Sequence, residues 1–290
     1  MQFCYIHGMS QPAVLNSIAT LRAFVQARRV QGQRIALVPT MGALHDGHLE
    51  LVRQGLAHAE CVIVSIFVNP SQFGPNEDFS AYPRTWEEDK AKLEGAGAQA
   101  IFHPAVEEMY PSGAATSVIV RGLTDALCGP IRPGHFEGVA TIVTKLLLQA
   151  LPDYALFGEK DYQQLQVIRR LTADLDIPVE IIGVPTVRDV DGLALSSRNI
   201  YLSPQERDIA RRLNKILFGM AGEIRSGKGW DRALSEGQGS LMQAGFDSID
   251  YLDVRDAETL AMPIPDQRDR LRILAAVRLG RTRLIDNVGI

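Results

Sequence analysis

The chain has 290 residues, room at about 150 residues per domain for two domains and for a core that needs no disulfide staples. Apolar residues make up 46% and charged residues 22%, which excludes a wholly disordered, collagenous or coiled-coil chain. Thirty Lys and Arg against 34 Asp and Glu leave a net charge of -4, so no global basic field is available to hold nucleic acid by counterion release.

Before residue 33 the pattern predicts a single helix, over 14–28. From residue 34 short apolar runs alternate with helix-period segments, the arrangement of parallel strands joined by crossover helices, so the fold class is α/β. Strands are predicted at 35–38, 61–68, 99–102, 118–120, 154–157 and 179–184. Between them, Leu49, Val52 and Leu56 open one amphipathic run, and 86–94 reads as a charged helix with few anchors. Val139, Ile142, Val143, Leu146, Leu147 and Ala150 paint one helix face apolar, and Tyr162, Leu165, Ile168 and Leu171 repeat the spacing more weakly. Past residue 185 come a long polar helix over 204–224, a second over 230–244, and strand-like runs at 249–254 and 271–277. This predicts a smaller α+β domain over 186–290, joined to a first domain over 1–185 through a segment whose Gly, Pro, Asp and Ser mark a loop.

The longest apolar runs, such as 61–68, are strand-length and short of the ~18 residues a membrane helix needs. The first ten residues lack the basic-then-apolar order of a secretory signal. Cys4, Cys61 and Cys128 are too few and too scattered for a disulfide framework or a zinc site. A reduced, cytoplasmic protein with no membrane and no nucleic-acid partner is expected, with Cys61 in the core. Arg268, Arg270, Arg272, Arg278, Arg281 and Arg283 invite a nucleic-acid reading, but period-2 spacing of the first three fits the solvated face of a strand better.

Five segments could carry chemistry, beside a predicted strand end, in the joining segment or in a glycine-bounded loop. Pro39-Thr40-Met41-Gly42-Ala43-Leu44-His45-Asp46-Gly47-His48 lies between a buried strand and a helix. Its glycines allow close backbone approach, the helix start offers unpaired N–H groups and partial positive charge, and the two imidazoles can donate to phosphate oxygens. A zinc pair would lack further ligands at a familiar spacing, whereas two ordinary turn histidines remain an alternative. The pattern is neither G-x-G-x-x-G nor a P-loop. Asn69 and Gln72, after the second strand, offer uncharged amides for hydroxyl and carboxylate groups, or merely cap a turn. Gly158-Glu159-Lys160-Asp161 with Gln164 one turn on offers a phosphate-neutralising ammonium, and a carboxylate that could cap the helix or meet a ribose hydroxyl or Mg²⁺. Leu195-Ser196-Ser197-Arg198 pairs hydroxyl donors with a planar cation suited to phosphate; a flexible linker would also be Ser-rich. Arg132, in a glycine-bounded loop, belongs to a lid or to a rigid turn.

These motifs, PTMGALHDGH, FVNPSQFGPNEDFSAYPRT, GPIRPGHFEGVATIVTKL, FGEKDYQQL and DGLALSSRNIYLSP, resemble in order and spacing the pantothenate synthetase (pantoate and β-alanine ligase) family of the nucleotidyltransferase superfamily, from about residue 13 onward. The resemblance implies a Rossmann-like N-terminal domain, a small C-terminal cover and a homodimer. It implies ATP as substrate with Mg²⁺, and a pantoyl adenylate made from pantoate and opened by β-alanine. It places Met41 to His48 on ATP, with His48 as general acid and His45 beside it; Gln72 and Gln164 on pantoate, Gln72 also meeting β-alanine; and Gly158 to Asp161, Val187 and Leu195 to Arg198 on ATP. Lys160, Ser196, Ser197 and Arg198 would lie near the phosphates, with Asn69 and Arg132 among the substrate contacts and no metal ligands assigned. Leu195 stands where many relatives have Met, a conservative change.

Overall fold

In the computed structural model, which describes residues 11–75, 77–264, 267 and 269–290, the alternation from residue 34 becomes one parallel sheet. Along the chain the elements are β1 (Ala13–Leu15), α1 (Ile18–Val30), β2 (Ile35–Thr40), α2 (Asp46–His58), β3 (Cys61–Ile66), α3 (Trp86–Ala96) and β4 (Ala100–Phe102). Then come the short helices α4 (Val106–Met109) and α5 (Cys128–Ile131), followed by α6 (His135–Ala150), β5 (Tyr154–Gly158), α7 (Tyr162–Asp174) and β6 (Glu180–Val184). The remainder is α8 (Pro204–Ala210), α9 (Arg212–Arg225), α10 (Trp230–Ala244), β7 (Ser248–Asp256), β8 (Leu271–Leu279) and β9 (Thr282–Gly289).

The first sheet has six strands in the order β1-β4-β3-β2-β5-β6, all neighbours parallel. Its central strands are continuous apolar runs because helices cover both faces. In β2 and β3, Ile35, Leu37, Cys61 and Ile63 pack into one cluster with α6, while Ala36, Val38, Val62 and Val64 pack into another with Leu51 and Val52 of α2 and Leu93 of α3. From β2 the chain steps outward to β3 and β4, then returns to place β5 and β6 on the other side. The carboxyl ends of β2 and β5 therefore flank the reversal of strand order, where sheets of this type open a crevice for ligands. The second sheet is an antiparallel meander β7-β8-β9. It buries Val254, Ile273, Ala275 and Val277 with Leu213, Leu217, Ala221 and Leu241 of α9 and α10. Among the described residues no helix is long and apolar enough to cross a membrane.

Several elements depart from expectation. The predicted helix over 14–28 is preceded by β1, which pairs with β4, and starts only after Ser17, whose side chain caps it in a reciprocal box with Thr20. Residues 118–120 form no strand: the Val118 N–H donates to Thr141 Oγ1 at 2.9 Å and Val120 tucks into the core, so a three-residue apolar run reports burial without pairing. The helix over 204–224 is two, with α8 started by Pro204 and a Ser203–Glu206 capping box and interrupted at Arg211. β9 was not anticipated, because the adjacent Asp286 and Asn287 break its apolar alternation. Arg272 does not face solvent: its guanidinium lies 3.8 Å from the Tyr162 ring centroid. Arg278 and Arg283 pair with Asp250, and Arg270 is exposed. Cys61 is buried as expected. Cys4, the first ten residues and Arg268 lie outside the described residues.

Candidate active site

The turn after β2 is shaped by a residue far along the chain. Gly42 (φ +80°) and Ala43 (φ +50°) both take left-handed backbone, and a Cβ at Gly42 would lie 3.1 Å from Asp89 Oδ2 and 3.2 Å from Ile66 Cγ2. Asp89 of α3, 1% exposed, accepts the Ala43 N–H through Oδ2 and the Leu44 N–H through Oδ1, both at 2.8 Å. Two N–H groups of the turn ahead of α2 are thus satisfied within the protein, and the supposedly weakly anchored helix 86–94 supplies the carboxylate. Lys92 on the same helix donates to the Leu44 carbonyl at 2.8 Å.

His45 is the N-cap of α2. Its Nδ1 accepts the Gly47 N–H at 3.2 Å, while His48 Nδ1 accepts the His45 N–H at 3.3 Å, and the ring centroids are 4.1 Å apart. A ring whose Nδ1 accepts carries its proton on Nε2. Burial, then the positive charge of Lys160, lowers His45 to about 4. Burial, then His45 and Lys160, pushes His48 well below its ordinary 6.5. At neutral pH the pair consists of two uncharged imidazoles with Nε2–H donors. Gly47 is required between them, since a Cβ there would stand 2.9 Å from His45 Cε1.

After β3, a 3-10 turn over Pro70–Gln72 carries the amides. Asn69, 1% exposed, donates to Gln72 Oε1 (3.0 Å) and the Gly138 carbonyl (3.1 Å), and its Oδ1 accepts from Ser71 Oγ (2.9 Å) and Tyr110 Oη (2.8 Å). Its amide is saturated within the protein and holds Gln72, whose own Nε2 reaches Met41 Sδ at 3.1 Å. Helix α6 approaches this turn so closely that a Cβ at Gly138 would fall 2.4–2.6 Å from Ser71 O, Ser71 C and Gln72 N.

β5 ends in the 3-10 turn Glu159–Asp161, ahead of α7. Lys160 Nζ and Asp161 Oδ2 lie 3.7 Å apart and both line the cleft, with Gln164 one helical turn beyond. Asp161 makes no capping bond to α7, so the capping explanation of this carboxylate fails. In the joining segment, Leu195 N–H donates to the Val187 carbonyl at 3.0 Å, and Ser197 Oγ donates to the Ala43 carbonyl at 2.8 Å. Ser196 accepts the Arg198 N–H at 3.3 Å.

Two neighbouring carboxylates hold the two cleft guanidiniums. Arg198 donates to both oxygens of Asp78 (2.9 and 2.7 Å), and Arg132 donates to both of Glu77 (2.6 and 2.6 Å). Burial alone would raise both carboxyls, yet the bonded guanidiniums bring them below the usual carboxylate range. Arg132 also donates to His135 Nε2 at 2.9 Å, and His135 Nδ1 donates to the Gln72 carbonyl at 2.9 Å. Burial, then Arg132, lowers His135 to about 4.

One cleft at the strand-order reversal therefore brings together Met41, His45, Gly47, His48, Asn69, Gln72, Arg132, Gly158, Lys160, Asp161, Gln164, Val187, Leu195, Ser196, Ser197 and Arg198. Gly42, Ala43, Leu44, Asp46 and Glu159 do not line it. The first three set the turn, Asp46 is exposed on α2, and Glu159 faces Arg272 at 3.6 Å. The sequence reading missed Asp89, Glu77, Asp78 and His135 as supporting groups, and Tyr82 as lining. The last four all sit inside motifs that it had quoted, whereas nothing local marks Asp89.

The family described as pantoate-beta-alanine ligase matches residues 13–289. The pantothenate synthetase of Paramagnetospirillum magneticum is 58% identical over 96% of this chain and 97% of its own, and that of Mesorhizobium japonicum is 54% identical over 97% and 99%. A crystal structure of pantothenate synthetase from Thermus thermophilus superposes with a TM-score of 0.90 at 47% identity, covering 95% of this chain and 98% of that one. The Francisella tularensis pantoate-beta-alanine ligase, solved with beta-gamma ATP and beta-alanine, gives 0.80 at 33% identity over 96% and 97%.

Proposed function

The chain belongs to the pantoate-beta-alanine ligase family, and on that premise we infer that it joins pantoate to β-alanine with ATP, releasing AMP, pyrophosphate and pantothenate. A pantoate carboxylate oxygen attacks the α-phosphorus while the bond to pyrophosphate breaks. The amine of β-alanine then attacks the carbonyl carbon of the resulting pantoyl adenylate, expelling AMP and losing a proton as the amide forms.

No covalent nucleophile from the protein is needed; alignment and charge neutralisation suffice. His45 and His48 contribute as neutral Nε2–H donors to phosphate oxygens, a role their tautomers support better than that of a charged acid at neutral pH. Lys160 and Arg198 neutralise phosphate charge beside Ser196 and Ser197. Gln72 and Gln164 orient pantoate, with Asn69 and Arg132 acting as supports through Gln72 and Glu77. The observation that carries this reading is the convergence of two imidazole donors, one ammonium and the Gln72 and Gln164 amides on a single cleft.

Mg²⁺ fits this donor set as a partner of the nucleotide. Among the described residues no three His, Cys, Asp or Glu side chains converge to form a protein cage, and Mg²⁺ usually takes one or two carboxylates plus substrate phosphates. Asp161, lining the cleft without a capping bond, would be its protein ligand. The ion would supply charge neutralisation on the phosphates.

Residues 1–185 would bind ATP and pantoate and 186–290 would cover them, hinging near 185–190, because a mixed anhydride must be kept from water. The buried free thiols Cys61 and Cys128 favour a reducing compartment, the cytoplasm. A homodimer is carried over from the family resemblance and is tested by light scattering. The decisive assay measures AMP and pyrophosphate with pantoate and β-alanine omitted in turn. Pyrophosphate should need pantoate alone, and AMP both substrates; pyrophosphate release with the nucleotide retained on the final product would replace ligation by simple nucleotidyl transfer.

A further inference from the structure

Two buried polar residues interrupt the apolar alternation of β9, and strands rarely accept Asp and Asn without compensation. Asp286 pairs with Arg188 of the joining segment at 2.7 and 2.8 Å. Asn287, 5% exposed, spends its whole amide, its nitrogen crossing the boundary between the two sheets and its oxygen staying within its own. Its Nδ2 donates to the Glu159 carbonyl at 2.9 Å and to the Lys160 carbonyl at 3.0 Å, and its Oδ1 accepts from Arg272 Nη1. Arg272 is itself fixed over the Tyr162 ring at the start of α7.

We propose that Asn287 is a positioning residue for Lys160: an amide from the C-terminal sheet that fixes the backbone from which the phosphate-facing ammonium extends. The proposal rests on the reading above, in which Lys160 meets the nucleotide. A lysine stem has four rotatable carbons and cannot place its own charge, so preorganisation must come from the main chain, and misplacement by about 1 Å costs on the order of 10²-fold in rate. Only a planar group with two N–H donors and one acceptor satisfies both carbonyls and Arg272 together. Aspartate would set an oxygen against two carbonyl oxygens, and alanine would leave both carbonyls without that donor.

The test is a cycle on the full chain: Asn287→Ala, Asn287→Ser and Asn287→Asp, each with Lys160 intact and with Lys160→Ala, read by the AMP assay and by thermal unfolding. With Lys160 present, Asn287→Ala should raise KM for ATP about 10-fold while KM for pantoate changes less than about 3-fold, with Ser intermediate and Asp worst. In the Lys160→Ala background the same substitutions should change KM for ATP by less than about 3-fold, because the group they position is gone. Equal factors in both backgrounds, or equal shifts for ATP and pantoate, overturn the proposal and make Asn287 a general prop of the cleft. Should the Asp variant fail to fold, the Asn–Ser–Ala series still decides. Lys160→Ala with an unchanged ATP response would instead defeat the reading on which this one rests.

Discussion

The turns that close β2 and β5 stand side by side where the strand order reverses, yet they are held in opposite ways. The histidine turn is braced mainly from within its own half: Asp89 and Lys92 of α3 take up its backbone groups, and His45 caps its own helix. The lysine turn is braced from outside, by the Asn287 amide of the second sheet. A parallel sheet places such turns at a common rim but does not fix their conformation; each needs a distant side chain to satisfy its backbone. The imidazole donors, tied to the C-terminal half by the Ser197–Ala43 bond, should consequently be less sensitive to its loosening than the ammonium.

The largest effect expected is that of His48→Ala, a loss of about 10²–10³ in kcat with a lesser loss of stability, about 1 kcal/mol, from the broken capping bond to the His45 N–H; near-normal turnover would remove His48 from the chemistry. Lys160→Ala should follow, with kcat/KM for ATP down about 10²-fold by loss of a phosphate-facing charge and pantoate affinity largely kept, which isothermal titration of each ligand would check. Asp89→Asn sharpens the contrast between the turns. An amide N–H would face one of the two buried backbone donors, costing about 1–3 kcal/mol, so both stability and turnover should fall; unchanged melting would mean the histidine turn needs no brace.

Next in size is a pH effect on stability. An unfolded histidine titrates near 6.5, whereas folded His45 and His135 titrate at about 4, so between those values the unfolded state binds more protons. Melting temperature should be flat in this respect above about pH 6.5 and should fall as pH drops from 6.5 towards 4. His45→Asn keeps a good N-cap without the titration and should soften that slope; an identical slope would assign it elsewhere. Smallest of all, Leu195→Met should cost less than about 1.5 kcal/mol and leave turnover within about twofold.

The central strands were legible because a strand covered on both faces is a continuous apolar run, and the clusters at their ends were legible because Gly, His, Lys and amides gather there against composition. β1 and β9 were hidden for different reasons: three residues carry no period, and Asp286 with Asn287 obey a tertiary demand. The charged members of the site could be read off, but not their keepers. Asp89 looks like any acidic residue of a solvated helix until α3 is folded against the turn, and Glu77 and Asp78 show their purpose only when Arg132 and Arg198 arrive from 55 and 120 residues away.

Gly138 has a bearing on how this cleft can vary. Because α6 and the Gln72 turn meet with no space for even one methyl group, the wall that holds the amides and the helix behind it form a single unit, and widening the cleft from that side requires moving a sixteen-residue helix. Room for a bulkier acid would have to come from the other elements that line the cleft.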